Sequence, residues 1–357
     1  MRPETQNVKS SEIKGRASSF NPHNRFEKIS YELIEEEIDP ERTIATRYYR
    51  DTSKTILARN DSPDIGFRYD VNPYRGCEHG CIYCYARPSH EYLGFSSGLD
   101  FETKIMVKSE AHLLLEREFR KKTWKPQVVA LSGNTDCYQP IERKLQLTRK
   151  CLEVFLKYRN PVGVITKNAL ITRDIDLLSE LARQNLVLCT LTVTTLNREL
   201  QRTMEPRTSP PELRLNAIEQ LATAGIPVGV SLAPIIPGLN DSEIPAILKR
   251  ASDSGATFAF YTMLRLPYAV KDLFVDWLTR KYPDKAEKVL HRIREVREGK
   301  LNASEFGTRM SGTGEIAEAI SQLFEVTCRK YHLNEHRHTL SVDKFLSNWN
   351  TQLELGL

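Results

Sequence analysis

Six short apolar segments alternate with amphipathic segments between residues 66 and 261, and this alternation constrains the fold most strongly. Short apolar segments of this kind are typical of parallel strands that are covered on both faces. We predict strands at 66–71, 128–131, 162–166, 186–193, 228–232 and 257–261, and helices at 111–122, 143–158, 174–184, 211–224 and 244–252. The alternation predicts an α/β fold with a parallel sheet and right-handed crossovers. It fits both a partial barrel and an open, doubly wound sheet.

The chain on either side of this region has a different pattern. Residues 1–60 lack sustained hydrophobic periodicity and are predicted as a partly extended N-terminal arm, in which the acidic stretch 35–39 is a solvated face. Residues 266–357 are predicted as a helical C-terminal extension, with helices at 271–280, 285–296 and 314–331. The core domain is therefore predicted to occupy residues 61–265.

Composition limits the functional class. The chain of 357 residues is 40% hydrophobic and 27% charged, as in ordinary soluble globular proteins. No apolar run approaches the roughly 20 residues that span a bilayer, and the polar N-terminus does not resemble a secretory signal. Seven cysteines without paired spacings favour a reducing cytoplasm over a disulfide framework. The net charge of +5 permits a polyanionic partner without requiring one.

Three of the cysteines form a tight motif directly after the first predicted strand. Cys77, Cys81 and Cys84 have the spacing C-x3-C-x2-C. Three thiolates on one loop can hold three irons of a [4Fe–4S] cluster and leave the fourth iron open for chemistry. The alternatives are three buried thiols or a zinc site in which His79 is the fourth ligand, although zinc sites favour pairs of C-x2-C.

The Cys loop resembles that of the radical S-adenosylmethionine superfamily. This resemblance implies a partial (β/α)6 barrel and a [4Fe–4S] cluster whose open iron chelates S-adenosylmethionine. It also implies a 5′-deoxyadenosyl radical that abstracts hydrogen from a substrate, and a flavodoxin- or ferredoxin-type electron donor. In combination, the segments 77–85, 132–140, 205–208 and 233–241 look like the spore photoproduct lyase-like group of bacterial proteins.

The resemblance implies cofactor contacts where the second and third strands end. Gly133 lets the backbone approach a ligand closely, and Asn134, Thr135 and Asp136 offer oxygen acceptors to the cofactor amino group. The alternative is an ordinary strand-to-helix turn. Lys167 is the candidate partner of the cofactor carboxylate, and its alternative is a solvated surface lysine.

Further candidates lie on and after the fourth strand. Thr192 and Thr194 share one face of the strand and can reach the ribose if that face lines the barrel. The alternative is the ordinary preference of threonine for strands. Glu205 and Arg207 either position the cofactor or fasten their own loop, and the sequence leaves both open.

Two further segments concern the adenine and the hydrogen donor. Tyr83 and the proline-rich turn at 233–241 are the candidate apolar contacts of adenine. Spore photoproduct lyase uses a cysteine thiol at the end of its second strand, where this chain has Gly133, so lesion repair is not implied. Cys137 is either a hydrogen donor or a small buried apolar residue.

The substrate is predicted from the resemblance and the mild positive charge to be a nucleic-acid base. Two other functions remain open, a nucleic-acid-binding protein with a structural zinc or iron–sulfur site and a protein that uses its cluster only for electron transfer. His332, His336 and His338 form a small cluster, in which His332 and His336 are either a metal pair on one helical face or, with His338, part of an exposed tail. The basic run 281–300 either touches phosphates or is a solvated helix face.

Overall fold

The computed structural model describes residues 13–27 and 44–347. Its strands are β1 (Arg47–Arg50), β2 (Leu57–Arg59), β3 (Tyr69–Val71), β4 (Tyr74–Arg75), β5 (Lys104–Val107), β6 (Val129–Leu131), β7 (Val162–Thr166), β8 (Val187–Thr192), β9 (Val228–Ile235) and β10 (Phe258–Met263). Its helices are α1 (Leu99–Thr103), α2 (Ala111–Phe119), α3 (Glu142–Leu145), α4 (Leu147–Tyr158), α5 (Ile175–Arg183), α6 (Arg198–Met204), α7 (Pro211–Thr223), α8 (Ile244–Asp253), α9 (Val270–Lys281), α10 (Pro283–Glu295) and α11 (Gly314–Lys330). The acidic stretch 35–39 and the polar start of the chain lie outside the described residues.

The main sheet has seven strands in the order β10-β9-β8-β7-β6-β3-β2. The six strands from β3 to β10 in this sheet are parallel and follow one another in space in the order of the chain, while β2 is antiparallel to β3. A doubly wound sheet reverses its strand order at a switch point, and this sheet does not. Within the described residues β2 and β10 do not pair with each other. The predicted α/β fold with six parallel strands is therefore confirmed, with the winding of a partial barrel that is open on one side.

The two faces of the strands differ in chemistry. Cys189 and Leu191 of β8, and Val193 directly after it, enter the main hydrophobic core, which also contains the apolar stripes of α4, α5, α7 and α8. Thr190 and Thr192 share the opposite face because side chains alternate along a strand, and both are buried. The sheet thus buries a polar inner face as well as an apolar outer one.

A second sheet of three strands, β1-β5-β4, was not predicted from the sequence. Its strands have two to four residues each and contain charged side chains such as Arg47 and Lys104. β1 and β2 come from the predicted N-terminal arm, and each pairs with a strand from the core. The domain boundary at residue 60 stays a prediction.

The helices differ from the predicted ones in several places, and the short helix α1 was not predicted. The predicted helix at 143–158 is divided because Gln146 has a left-handed backbone, with φ of 53°. The sequence pattern missed α6, which begins after Asn197, whose side chain accepts from the N–H groups of Glu199 and Leu200. The last helix ends at Lys330, and His332 and Asn334 have positive φ. His332 and His336 therefore do not share a helical face, so the helical metal pair is wrong.

The C-terminal extension packs against two parts of the core. Trp277 of α9 is buried in a second hydrophobic cluster with Ile82 of the Cys loop and Met204 of α6. After α11, the Asn334 side chain exchanges two hydrogen bonds with the backbone of Ala259, both 2.9 Å long, and so covers the exposed edge of β10. No helix among the described residues is both long and apolar enough to cross a membrane.

Candidate active site

The three cysteines lie on a tightly packed loop that follows β4. Cys77 and Cys81 are buried and Cys84 is partly buried. Two turns shape the loop, one closed by Gly80 N–H to the Cys77 carbonyl and one by Cys84 N–H to the Cys81 carbonyl, both at 3.2 Å. Gly80 has φ of +65°, and a Cβ atom there would lie 2.8 Å from Oε2 of Glu102. Only glycine combines this conformation with this close packing.

A buried arginine supports the loop from below. Arg87 is fully buried and donates to the carbonyls of Gly80 at 3.0 Å and Cys81 at 2.9 Å. Its guanidinium also pairs with Glu102 at 2.6 Å. Backbone carbonyls and a carboxylate together compensate the buried charge of Arg87. Without such partners a buried cation is strongly unfavourable. Arg87 thereby fixes the shape of the loop between the cysteines.

The thiols of the three cysteines lie in surroundings that disfavour their ionised form. Burial raises the pKa of Cys77, Cys81 and Cys84, although a hydrogen bond from the Asp136 backbone acts in the opposite direction at Cys77. All three are free thiols. A metal centre binds thiolates and stabilises their charge, so metal binding would release the protons that burial retains.

The donor set fits a cluster better than a single zinc ion. His79 is buried, its Nδ1 lies 3.3 Å from Asp136 Oδ2 and its Nε2 lies 3.2 Å from Asn168 Nδ2. Both ring nitrogens therefore face protein partners. No group of three His, Cys, Asp or Glu residues in the described part of the chain is arranged around one ion. A [4Fe–4S] cluster does not require its three protein donors to meet at one ion, because each of three irons binds one thiolate.

Asp136, after β6, accepts hydrogen bonds on both carboxylate oxygens. Thr166 Oγ1 donates to Oδ1 at 2.7 Å and the Lys167 backbone N–H donates to Oδ2 at 2.8 Å. Burial alone would raise the pKa of Asp136, but the adjacent His79 and these hydrogen bonds hold the pKa at about 2. Asp136 thus joins the ends of β6 and β7 and orients His79.

The preceding residues are held by one asparagine side chain. Asn72 Oδ1 accepts the backbone N–H groups of Asn134 at 2.8 Å and Thr135 at 3.2 Å. Thr135 is buried and donates its hydroxyl to the Tyr74 carbonyl at 3.0 Å. The Asn134 side chain is exposed, so its amide is the group of this segment that remains accessible to a ligand.

Gly133 packs against the carboxyl group of Asp70. A Cβ atom on Gly133 would lie 2.6 Å from Asp70 Cγ, which real structures essentially never allow. The Gly133 carbonyl accepts the Tyr85 hydroxyl, and the ring of Tyr85 is about half exposed. Arg265, after β10, places its Cζ 5.9 Å from the Tyr85 ring centroid. A carboxyl group, a phenol and a guanidinium therefore meet beside the Cys loop.

Lys167 lies at the end of β7 and points toward the same loop. Its Nζ is 5.7 Å from the ring centroid of Tyr83. Its positive charge acts to lower the pKa of Cys81 and Cys84, against the larger effect of burial. A cation in this position favours an anionic ligand close to the cysteines.

Glu205 is the centre of a buried polar network. Its carboxylate accepts the hydroxyl groups of Tyr83 and Thr194, the latter at 2.6 Å, and pairs with Arg214 at 2.5 Å. Burial opposes ionisation, but Arg214 and the hydroxyl donors hold the pKa of Glu205 at about 2. Arg214 also donates to the Thr192 carbonyl at 2.9 Å. The network fixes Tyr83 and the end of β8.

Arg207 and Cys137 both contact protein groups in this structure. Arg207 lies 3.5 Å from the Glu78 carboxylate and 3.3 Å from Thr46 Oγ1, which ties its loop to the chain before β1.

Cys137 is fully buried in the main core, and its N–H donates to Ser132 Oγ at 2.9 Å. This placement favours the interpretation of Cys137 as a small packing residue.

The proline-rich turn at 233–241 is fixed by one side chain. Asn240 donates to the Thr194 carbonyl at 2.8 Å and accepts from the Ile236 N–H at 2.6 Å. The turn therefore lies against the end of β8, beside the network of Glu205.

The sequence interpretation missed five charged or aromatic residues of this site: Asp70, Tyr85, Arg87, Arg214 and Arg265. Tyr85 and Arg265 carried a usable signal, because one adjoins Cys84 and the other follows the sixth strand. Arg87 and Arg214 sit in helical turns, where nothing in the local pattern distinguishes them from solvated arginines.

Comparison with known families gives one match that covers about half of the chain. A family model described as the Radical SAM superfamily matches residues 71–251. The matched region begins at the end of β3 and ends within α8, and it contains all three cysteines of the loop.

Similar sequences occur in bacteria and archaea. An uncharacterized protein of Mycobacterium tuberculosis is 36% identical over 234 residues, which are 65% of this chain and 68% of that protein. An uncharacterized protein of Methanocaldococcus jannaschii is 27% identical over 227 residues, 64% of this chain and 81% of that protein.

Solved structures share the fold. Spore photoproduct lyase in complex with dinucleoside spore photoproduct matches with a TM-score of 0.57 at 15% identity, over 80% of this chain and 78% of that one. A variant of spore photoproduct lyase with bound AdoMet and dinucleoside spore photoproduct matches with a TM-score of 0.55 at 15% identity, over 81% and 79% of the two chains. At this identity the likeness concerns the fold alone.

Proposed function

Because the chain belongs to the radical SAM superfamily, whose members are enzymes, we propose that it cleaves S-adenosylmethionine reductively at a [4Fe–4S] cluster held by Cys77, Cys81 and Cys84. The observation that carries this proposal is the Cys loop itself, with three free thiols on one packed loop after β4. When bound, the cluster and the cofactor supply the one-electron cleavage that yields methionine and a 5′-deoxyadenosyl radical.

The residues of this chain bind and orient the cofactor. Lys167 is the cation for the cofactor carboxylate, which is supported by its position over Tyr83 and its action on two thiols. The accessible amide of Asn134 is an acceptor for the amino group. Thr192, on the buried polar face of β8, is the candidate partner of the ribose.

The other predicted cofactor-binding residues are proposed to hold neighbouring protein groups in place rather than to contact the cofactor. Asp136 and Glu205 have their carboxylate oxygens engaged by protein donors, so we assign them to positioning His79 and Tyr83 respectively. Thr194 contributes its hydroxyl to Glu205. Arg207 fastens its loop through Glu78. Gly133 and Thr135 shape the turn after β6, next to the accessible Asn134.

The proposed substrate is a nucleic-acid base, and the atom attacked is left open. The net charge of +5, the half-exposed ring of Tyr85 and the adjacent guanidinium of Arg265 support a site for an aromatic, anionic molecule. Arg265 has a buried Nε without a hydrogen-bond partner among the described residues. A thiol at position 133 is absent, so a hydrogen-donor cysteine at that point is not part of the proposal.

The cellular setting is proposed from the chemistry. One-electron reduction of a cluster requires a low-potential donor, and we propose a flavodoxin- or ferredoxin-type protein. The reducing cytoplasm suits a chain whose seven cysteines are all free.

Metal analysis after anaerobic purification tests the proposal against its alternatives. We expect about four irons per chain and formation of 5′-deoxyadenosine after reduction with dithionite in the presence of S-adenosylmethionine. Stoichiometric zinc without cofactor cleavage would support the second function, a nucleic-acid-binding protein with a structural metal site. A cluster whose spectrum does not change on addition of S-adenosylmethionine would indicate electron transfer alone.

A further inference from the structure

A cavity lies between the end of β5, the start of α2 and the segment that joins β1 to β2. Its volume is about 380 Å³, which falls in the range of about 300–1,000 Å³ that small ligands occupy. Four basic and two acidic side chains line it: Arg50, Lys54, Lys108, Arg117, Asp51 and Glu110.

Lys108 is the buried basic residue of this cavity, with 8% of its surface exposed. Its ammonium group makes no hydrogen bond within 3.5 Å and no ion pair within 4.0 Å to any residue that the structure describes. Burial lowers the pKa of Lys108 and the nearby Arg75 lowers it further, while the carboxylates of Asp51 and Asp70 act in the opposite direction. A largely buried lysine whose ammonium group has no hydrogen-bonded or ion-paired protein partner is a favourable place for an anion to bind.

The acidic residues of the cavity are already engaged by arginines. Asp51 pairs with Arg75 at 2.9 Å, and Glu110 pairs with Arg50 at 3.3 Å. Lys54, Lys108 and Arg117 make no ion pair within the described part of the chain. The cavity therefore carries a net positive charge, to which the N-terminus of α2, directly after Glu110, adds a favourable dipole.

The cavity is connected to the candidate active site through β3. The Lys108 N–H donates to the Pro73 carbonyl at 2.9 Å, in the loop that leads from β3 to the cysteines. The charge of Lys108 acts on Asp70, whose carboxyl group packs against Gly133.

We propose that this cavity binds a phosphate group of the substrate, with Lys108 as the central cation and Arg117 and Lys54 at its rim. The inference rests on the proposed function, because it assigns the anionic part of a nucleic-acid substrate to this place. The phosphate belongs either to the backbone of a strand or to a free nucleotide or phosphate ion.

Binding measurements on three variants test the proposal without any turnover. Lys108→Met keeps the length and the apolar stem of the side chain and removes the charge. Arg117→Met changes an exposed rim residue and leaves the buried part of the cavity intact. Lys249→Met is the matched control, because Lys249 is exposed on α8 and pairs with Asp253 at 2.6 Å.

Fluorescence anisotropy of a labelled single-stranded oligonucleotide is recorded across a salt series. We expect Lys108→Met to weaken binding about tenfold and to reduce the slope of log affinity against log salt by about 1. Arg117→Met acts in the same direction, so the test does not depend on the folding of one variant, and Lys249→Met behaves as the unchanged protein. Equal affinity and slope for the unchanged protein, Lys108→Met and Arg117→Met would overturn the proposal. So would failure of the unchanged protein to bind both the oligonucleotide and inorganic phosphate.

Inorganic phosphate distinguishes the two sources. A rise in melting temperature with phosphate that Lys108→Met abolishes identifies a free-phosphate site, whereas an effect confined to the oligonucleotide identifies a strand. Cofactor cleavage is measured separately with dithionite. If cleavage occurs but neither probe depends on Lys108, the phosphate site is refuted and the proposed function stands. If binding depends on Lys108 but cleavage is absent, the proposed function fails and the phosphate site stands.

Discussion

The carboxyl group of Asp70 occupies the space into which a side chain at position 133 would extend, 2.6 Å from the place of a Cβ atom on Gly133. These residues come from adjacent parallel strands, β3 and the end of β6. The packing explains why glycine occupies the end of β6, and it removes this position as a source of a hydrogen-donating thiol.

Gly133→Ala is therefore expected to destabilise the protein by about 1–3 kcal/mol, because an added methyl group overpacks the site. Asp70→Gly should relieve the clash, so the double variant should lose less stability than the sum of the two single changes. Urea denaturation of the four proteins measures this coupling. Additive free energies of unfolding would contradict the contact.

Asp70 also predicts a dependence of stability on pH. Burial raises the pKa of Asp70 to about 6, from its ordinary value near 4. A raised carboxyl pKa means that the folded state binds the proton more tightly. The contribution of protonated Asp70 to the free energy of unfolding is therefore fully present below about pH 4 and is lost as the pH rises through about 6.

Asp70→Asn removes the buried charge, so the variant should be more stable than the unchanged protein by about 3 kcal/mol at pH 7.5 and by little at pH 4. Denaturation at the two pH values measures the difference. Asp61→Asn, at an exposed residue paired with Arg59 at 2.8 Å, is the control. A gain in the free energy of unfolding that is the same at both pH values would contradict the raised pKa of Asp70.

Arg87→Met is expected to destabilise the Cys loop. The change leaves Glu102 as an unpaired buried carboxylate and removes the donors to the loop carbonyls, at a cost of about 3–5 kcal/mol. Arg183→Met, which breaks an exposed pair with Glu180, should cost less than about 1 kcal/mol. Urea denaturation and iron content per chain measure both effects, and normal iron retention in Arg87→Met would argue against its role in shaping the loop.

Lys167→Met tests the proposed contact with the cofactor carboxylate. A lost charge-assisted hydrogen bond costs about 1.5–3 kcal/mol, so the KM for S-adenosylmethionine should rise about tenfold or more. Lys167→Arg should recover part of this loss because it retains the charge. The iron content should remain that of the unchanged protein in both variants. An unaltered KM in Lys167→Met would exclude the contact.

The parallel sheet could be predicted because apolar runs report burial directly. Val128 to Leu131 and Val162 to Thr166 are short runs of this kind, and their alternation with helices leaves few possible folds. The small sheet of β1, β4 and β5 lacked this signal, since its strands are very short and partly exposed. Gln146 divides a helix through its backbone conformation, which side-chain periodicity does not record.

The parts of the candidate site that could be predicted are those whose residues lie close together in the sequence. Cys77, Cys81 and Cys84 lie within eight positions of one another, and their spacing alone indicates a metal site. The contact of Asp70 with Gly133 joins residues that are distant in the sequence, and so does the bond from Tyr83 to Glu205. Such contacts depend on the register of strands, which no short motif encodes.

Production of 5′-deoxyadenosine by Cys81→Ala is the most direct test of the central claim, that the Cys loop holds the cluster that cleaves S-adenosylmethionine. The unchanged protein, Cys81→Ala and the control Cys189→Ala are reconstituted anaerobically, reduced with dithionite and given S-adenosylmethionine. Cys189 is a buried cysteine in β8, outside the loop. We expect 5′-deoxyadenosine from the unchanged protein and from Cys189→Ala, and none from Cys81→Ala, which should remain folded by circular dichroism. Cleavage by Cys81→Ala at the rate of the control would contradict the account.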